Sequence, residues 1–305
     1  MLYYNIHFNF NLRITIMTKK TLIIIFSIIL SNNAFSSEIV VSVKPLHSLV
    51  SAISEGSNSV SLLIDGSMSP HNFALKPSHA KLLNNSKIVF YIDNQLESAL
   101  KKTVRGLPKN ISVVQVSKMK QLELLSVRED DNWEEDGHDH HDHGHGSYDV
   151  HFWLDPNNAI QIVKGITREL SKVYPENINT YKLNAKNIIK EIKKTDLSIK
   201  SMLAPIQNKP YIVFHDAYQY FEKTYNLKPV GSILLDPEIS PSVKRIIKIK
   251  TKIKNLNATC VFKEPQFRAK IVDTVIEDTN TKVGVLDPLG ADIKPGKEMY
   301  TNLLR

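Results

Sequence analysis

The chain has 305 residues, 42% of them hydrophobic and 23% charged, and a formal net charge of +8. That length exceeds what one compact core ordinarily supports, so two domains are expected, and the composition excludes a disordered or fibrous chain. The first 36 residues hold Arg13, Lys19 and Lys20 and no acid, which leaves 36 cations against 31 acids, a net +5, in the rest. Those cations are scattered along helical patterns, which argues against a nucleic-acid footprint.

Residues 1–36 read as a secretory leader. Met17-Thr18-Lys19-Lys20 has the form of the true start; an apolar run over 22–30 follows, then a small-residue site at Ala34-Phe35-Ser36. The run is too short to span a bilayer. A mature chain beginning near Ser37, soluble and exported to a periplasm, is expected. Cys260 is the sole cysteine, so neither a lipid-bearing cysteine at the cleavage point nor an internal disulfide is available.

From Glu38 the pattern alternates β-branched runs with helical segments. Strands are predicted over 39–43, 61–64, 87–92 and 111–116. Helices are predicted from Lys44-Pro45 to 53, over 77–83 and over 96–104. The loop 65–72 carries His71 just after a strand. Periodicity is lost over 126–148, which reads as an insertion. Asp155-Pro156 opens a helix to 173, ended by Pro175. From Glu176 a longer helix carries one apolar stripe of Ile178, Tyr181, Ala185, Ile188, Ile192, Ile199 and Met202. After Pro210, strands over 211–214, 230–234, 259–262 and 283–286 alternate with helices through Tyr220, after Ser240-Pro241 and over 270–277. In the second of these, Ser240 is the expected N-cap. The fold class is α/β, with two parallel-sheet lobes (37–175 and 205–305) joined by a rigid helix (176–204). Ligands of such sheets bind beyond the carboxyl ends of the strands. Post-strand positions there present His71, His215 and Asp287, with His151 placed just before the helix that leaves the first lobe.

The histidines carry the chemistry. Within the loop 130–147, His138, His140, His141, His143 and His145 alternate with Asp139 and Asp142 and have no apolar residue to bury. Such a tract reads as an auxiliary, weaker metal-gathering loop. His47 and His79 fall inside helical patterns and are expected to face solvent or cap a neighbour. His151 sits in HFWLDP, and three neutral imidazoles with a carboxylate or water form the near-tetrahedral set that Zn²⁺ accepts. With unperturbed imidazoles of pKa about 6.5, three such ligands predict a steep loss of affinity as pH falls through that value.

The segments VSVKPLHSLV, SPHNFALKPSHAKLL, HFWLDP, YIVFHDAYQYFEK, ATCVFKEPQFR and VGVLDPLG resemble, in order and spacing, the periplasmic zinc-binding subunits of high-affinity zinc ABC importers, the cluster A-I solute-binding proteins of TroA-like fold. The resemblance spans nearly all of the mature chain. It implies two α/β lobes joined by a long helix, no catalysis, and capture of Zn²⁺ for an inner-membrane ABC permease. By motif it implies His71, His151 and His215 as metal ligands with Asp287 in the cleft. A monomer is expected, with no nucleic-acid partner. Two departures stand out. Pro70 occupies the place where several relatives have glutamate, so the fourth ligand is Asp287 or water. Relatives often run past the TNLLR end and pair the cysteine of ATCVF, so Cys260 here is expected to be unpaired and the last helix short.

Three other readings compete, of which a periplasmic zinc-storage protein relying on the histidine-rich loop leaves HFWLDP and HDAY unexplained. A manganese or iron importer of the same fold would carry a carboxylate in place of the third histidine, whereas this chain has His215. A zinc hydrolase would need a general base; no HExxH pair occurs, and Glu264 is the one candidate.

Overall fold

The computed structural model describes residues 38–128, 148–234, 237, 239–268 and 270–305. Residues 1–36, expected to be a leader, and the loop histidines His138, His140, His141, His143 and His145 lie outside them.

The first lobe alternates β1 (Ile39–Val41), α1 (Lys44–Ile53), β2 (Val60–Leu62), α2 (Pro77–Asn84), β3 (Ile88–Tyr91), α3 (Leu100–Arg105) and β4 (Ser112–Gln115). The sheet is parallel throughout, in the order β2-β1-β3-β4. Both inner strands, β1 and β3, are buried along their whole length. Continuous apolar runs such as Ile-Val-Val and Ile-Val-Phe-Tyr suit a sheet covered on both faces.

A 3₁₀ turn at Phe152–Leu154 leads into α4 (Pro156–Val173). Asp155 caps this helix: its carboxylate accepts from the N–H groups of Asn157 (2.9 Å) and Asn158 (3.2 Å), and Pro156 takes the first helical position, which needs no donor. After a 3₁₀ turn at Pro175–Asn177 comes α5 (Ile178–Leu203), 26 residues and so about 39 Å long. Its buried stripe is Tyr181, Ala185, Ile188, Ile192, Thr195 and Ile199. Met202, expected in the stripe, is 57% exposed. Thr195 fills the gap between Ile192 and Ile199 that hydrophobicity alone leaves open.

The second lobe repeats the pattern with β5 (Tyr211–His215), α6 (Gln219–Tyr225), β6 (Pro229–Leu234), α7 (Val243–Asn255), β7 (Cys260–Lys263), α8 (Lys270–Ile276) and β8 (Lys282–Val285). Its strand order is β6-β5-β7-β8, again all parallel, so the two sheets share one topology. The cleft between the lobes lies at the carboxyl ends of both sheets. The chain closes with α9 (Met299–Leu303).

Four expectations need correction. The cap of α7 is Ser242, whose Oγ accepts from the N–H of Arg245 at 3.1 Å, and not Ser240. α3 starts at Leu100 rather than 96, because the Glu97 carboxylate takes the N–H groups of Ile92 (3.1 Å) and Asp93 (2.8 Å) and folds the preceding residues into turns. His47 does not face solvent: it is 8% exposed, with Nε2 3.3 Å from the Val60 carbonyl. Finally, α9 falls within the expected second lobe (205–305) but packs on the first. The Tyr300 N–H donates to Ser48 Oγ (2.9 Å) and its hydroxyl donates to the Trp153 carbonyl (2.7 Å). Met299 and Tyr300 are apolar surface that α1 can bury. His79 does cap: its Nδ1 accepts from the N–H of Lys76 at 3.0 Å.

Candidate metal centre

Three chain segments converge in the cleft. His71 comes from the loop after β2, His151 from the residue before the 3₁₀ turn at Phe152–Leu154, and His215 is the last residue of β5. His151 and His215 are 5% and 3% exposed, and His71 is half-buried, at the mouth. His151 Nε2 lies 3.4 Å from His71 Nε2 and 3.4 Å from His215 Nε2. Nitrogens bound tetrahedrally to Zn²⁺ at about 2.0–2.1 Å stand about 3.3–3.4 Å apart, so two edges of that tetrahedron are already present. Among the described residues, these three side chains are the group of histidine, cysteine and carboxylate donors gathered closely enough to hold one ion.

The Nδ1 atoms decide which nitrogen faces the centre. His151 Nδ1 is 2.8 Å from Asp149 Oδ1, and His215 Nδ1 is 2.8 Å from the Glu264 carboxylate. A neutral ring that donates from Nδ1 presents a bare lone pair at Nε2. The two Nε2 atoms at 3.4 Å therefore oppose lone pair to lone pair, an arrangement that a shared cation or proton relieves. Ring orientation by a carboxylate behind the imidazole is the usual support for a metal-binding histidine.

Residues 39–305 match the family model for ZnuA, zinc-uptake complex component A periplasmic. The chain belongs to this family. It is 39% identical over 299 residues to the high-affinity zinc uptake system protein ZnuA of Brucella abortus, covering 88% of each chain. Against the ZnuA of Yersinia pestis the identity is 34%, over 89% of each. A crystal structure of ZnuA superposes with a TM-score of 0.73 at 23% identity, covering 87% of this chain and 94% of the other, which is a likeness of fold.

Charge in the cleft follows from burial. Burial, and then the neighbouring His151 and His215, push His71 down to about 2. Burial, and then His215, hold His151 well below the ordinary imidazole value. For His215 burial also acts downward, but the Glu264 carboxylate outweighs it and raises the ring above its ordinary value. Burial pushes Asp149 up to about 7, against the His151 N–H and Arg128, which act the other way. Two of the three rings thus stay neutral without any ion to compete with protons.

Asp287 lies apart from the three histidines. Its Oδ1 accepts from the N–H groups of Leu289 (2.9 Å) and Gly290 (2.8 Å) and from Gln266 Nε2 (2.8 Å), and its Oδ2 accepts from the N–H of Ala291. That carboxylate organises the turn after β8. Pro70 lines the histidine pocket along with Ser69, Trp153 and Phe267 and adds no donor. Asp149 was missed by the sequence reading, although its place two residues before His151 is a signal. Glu264 was singled out as a base for hydrolysis, but it sits behind His215, on the Nδ1 side.

Proposed function

We propose that this chain captures Zn²⁺ in the periplasm and delivers it to an inner-membrane ABC permease, in keeping with its family. The observation that carries the reading is the pair of 3.4 Å separations linking Nε2 of His71, His151 and His215. In this reading the three imidazoles are the protein ligands, and water completes the tetrahedron because the Asp287 carboxylate is held by backbone N–H groups. Three nitrogens and a low coordination number suit Zn²⁺ over Mn²⁺, which favours more oxygen donors, and the divalent affinity order runs the same way. The histidines of the loop 130–147 serve as an auxiliary, weaker zinc-gathering site, and residues 1–36 direct export and are then removed.

A hydrolytic role is disfavoured by Glu264, the one base the sequence offered, because it is committed to the far side of the His215 ring. Competition titration of purified protein tests the proposal. One tightly bound zinc per chain is expected, beside weaker binding by the loop, and His151→Ala should weaken the tight site by more than the roughly 10–100-fold typical of removing a residue that merely supports a ligand. Parental affinity in His151→Ala would refute the site. Failure of the gene to restore growth on scarce zinc, with the site intact, would refute delivery alone.

A further inference from the structure

A short antiparallel ladder on the first lobe reaches both buried histidines. Ser126 bridges to Tyr148, and the N–H of Asp149 donates to the Leu125 carbonyl at 2.8 Å. Tyr220 of the second lobe fastens the same ladder, accepting from the N–H of Leu125 (2.9 Å) and donating to the Asp149 carbonyl (2.7 Å). One arm of the ladder ends at Asp149, which holds the His151 backbone N–H (2.9 Å) and ring (2.8 Å). The other arm ends at Arg128, which crosses into the second lobe. Its Nε lies 3.0 Å from Asp216 Oδ2, and its Nη2 lies 2.5 Å from Asp216 Oδ1 and 2.6 Å from Glu222 Oε2.

Both acceptors belong to the His215 segment. Asp216 is the next residue after His215, so a two-pronged grip on its carboxylate fixes the peptide beside the ligand. Glu222, on α6, also accepts from the hydroxyl of Tyr211 at 3.2 Å, and Tyr211 begins the strand that His215 ends. The side chains are 16%, 11% and 4% exposed for Arg128, Asp216 and Glu222. Little water competes for these bonds, and a planar guanidinium forks onto two carboxylates as an ammonium cannot.

We propose that Arg128 is a positioning residue for zinc capture: by tying the ladder that carries Asp149 and His151 to Asp216 and Glu222, it sets the separation between His151 and His215. The proposal rests on the three-histidine zinc reading. The Arg128 bonds described here run to Asp216 and Glu222, so it acts on the metal through the segments that carry the rings.

The test uses the full mature chain in four forms: parent, Arg128→Met, Arg128→Lys, and Arg128→Met combined with Glu222→Gln. The last removes one of the stranded carboxylates so that a folded variant is at hand. Zinc affinity by chelator competition, zinc release by stopped flow, and melting of the metal-free protein are measured on each. The expected result is a roughly 10–100-fold loss of affinity in both methionine variants, expressed mainly as faster release. Arg128→Lys should regain part of it, through charge without the fork. A purely structural role would lower the melting temperature and leave affinity and release unchanged. Parental affinity and release in either methionine variant, once shown to be folded, would overturn the proposal. His151→Ala run alongside separates the failures. If it keeps tight zinc, the metal-centre reading falls and this proposal with it; if it loses zinc while the Arg128 variants do not, only the role of Arg128 falls.

Discussion

His151 and His215 have similar burial and equivalent ring contacts, yet opposite proton affinities, and the difference lies in what stands behind each ring. Glu264 charges His215 up, whereas Asp149, itself pushed up to about 7, does not keep His151 from being driven down. This changes the expected pH response of zinc binding. Unperturbed imidazoles would release three protons around pH 6.5. Here His71, pushed down to about 2, and His151 hold no proton in that range. The sign for His215 is clear: its value in the folded protein is raised, so zinc binds without proton competition above that value and weakens as pH falls through it. The onset therefore lies on the alkaline side of about 6.5, and His215 and Asp149 together give a slope of about one to two protons per zinc. Log affinity measured against pH checks this. A slope of three centred at the ordinary imidazole value would contradict it.

At the scale of elements, the turn after β8 shows what a carboxylate at the cleft edge is already engaged in. The strand pattern over 283–286 placed Asp287 at the cleft edge, and there it is. Its carboxylate nevertheless serves the backbone of residues 289–291, while Lys44 of α1 donates to the carbonyls of Gly290 (2.5 Å) and Ala291 (2.8 Å) from the other side. Gly290 turns the chain with φ +68°, a conformation that few side chains tolerate. Asp287→Ala should thus strand buried N–H groups and lower stability by roughly 1–3 kcal/mol, while tightly bound zinc stays at one per chain and its affinity stays within about tenfold of the parent. Melting curves and chelator competition read the two effects separately, and a loss of zinc matching that of His151→Ala would make Asp287 a ligand after all. Periodicity and strand ends made the lobes, the long helix and the three histidines legible, since each of these is a local pattern. Glu264 behind His215 is 49 residues away from it in sequence, and Arg128 is 88 away from Asp216. No local pattern encodes such partners. Ser242 as the cap of α7 was misread for a different reason: Ser240-Pro241 is an equally good local signal two residues earlier.

Across the whole molecule, the apolar core does not stop at the lobe boundary. One buried cluster runs from Ile39, Phe90 and Leu49 of the first lobe through Tyr181 and Ile192 of α5 to Val213, Ala217, Tyr220, Leu289 and Tyr300. A second, smaller cluster around Phe214, Ile233 and Val261 belongs to the second lobe alone. Trp153, beside the histidine pocket, is tied to the later half of the chain twice, by its Nε1 to the Pro288 carbonyl (3.0 Å) and by its own carbonyl to the Tyr300 hydroxyl (2.7 Å). Relative domain motion is the ordinary expectation unless the interface is large and hydrophobic, and this one is continuous with the core. Opening it by a hinge would expose apolar surface at about 25 cal/mol per Å² and break the Lys44, Arg128 and Trp153 bonds together. Local movement is the cheaper route for the ion, and His71 is where it is available: it is the half-buried member of the three, and it sits in a loop rather than at a strand end. Zinc binding should therefore leave the radius of gyration in solution scattering unchanged. In hydrogen exchange, new protection should concentrate at residues 65–76 and spare α5. Compaction on binding, or protection spread along α5, would show that the lobes move as bodies and that the shared core yields.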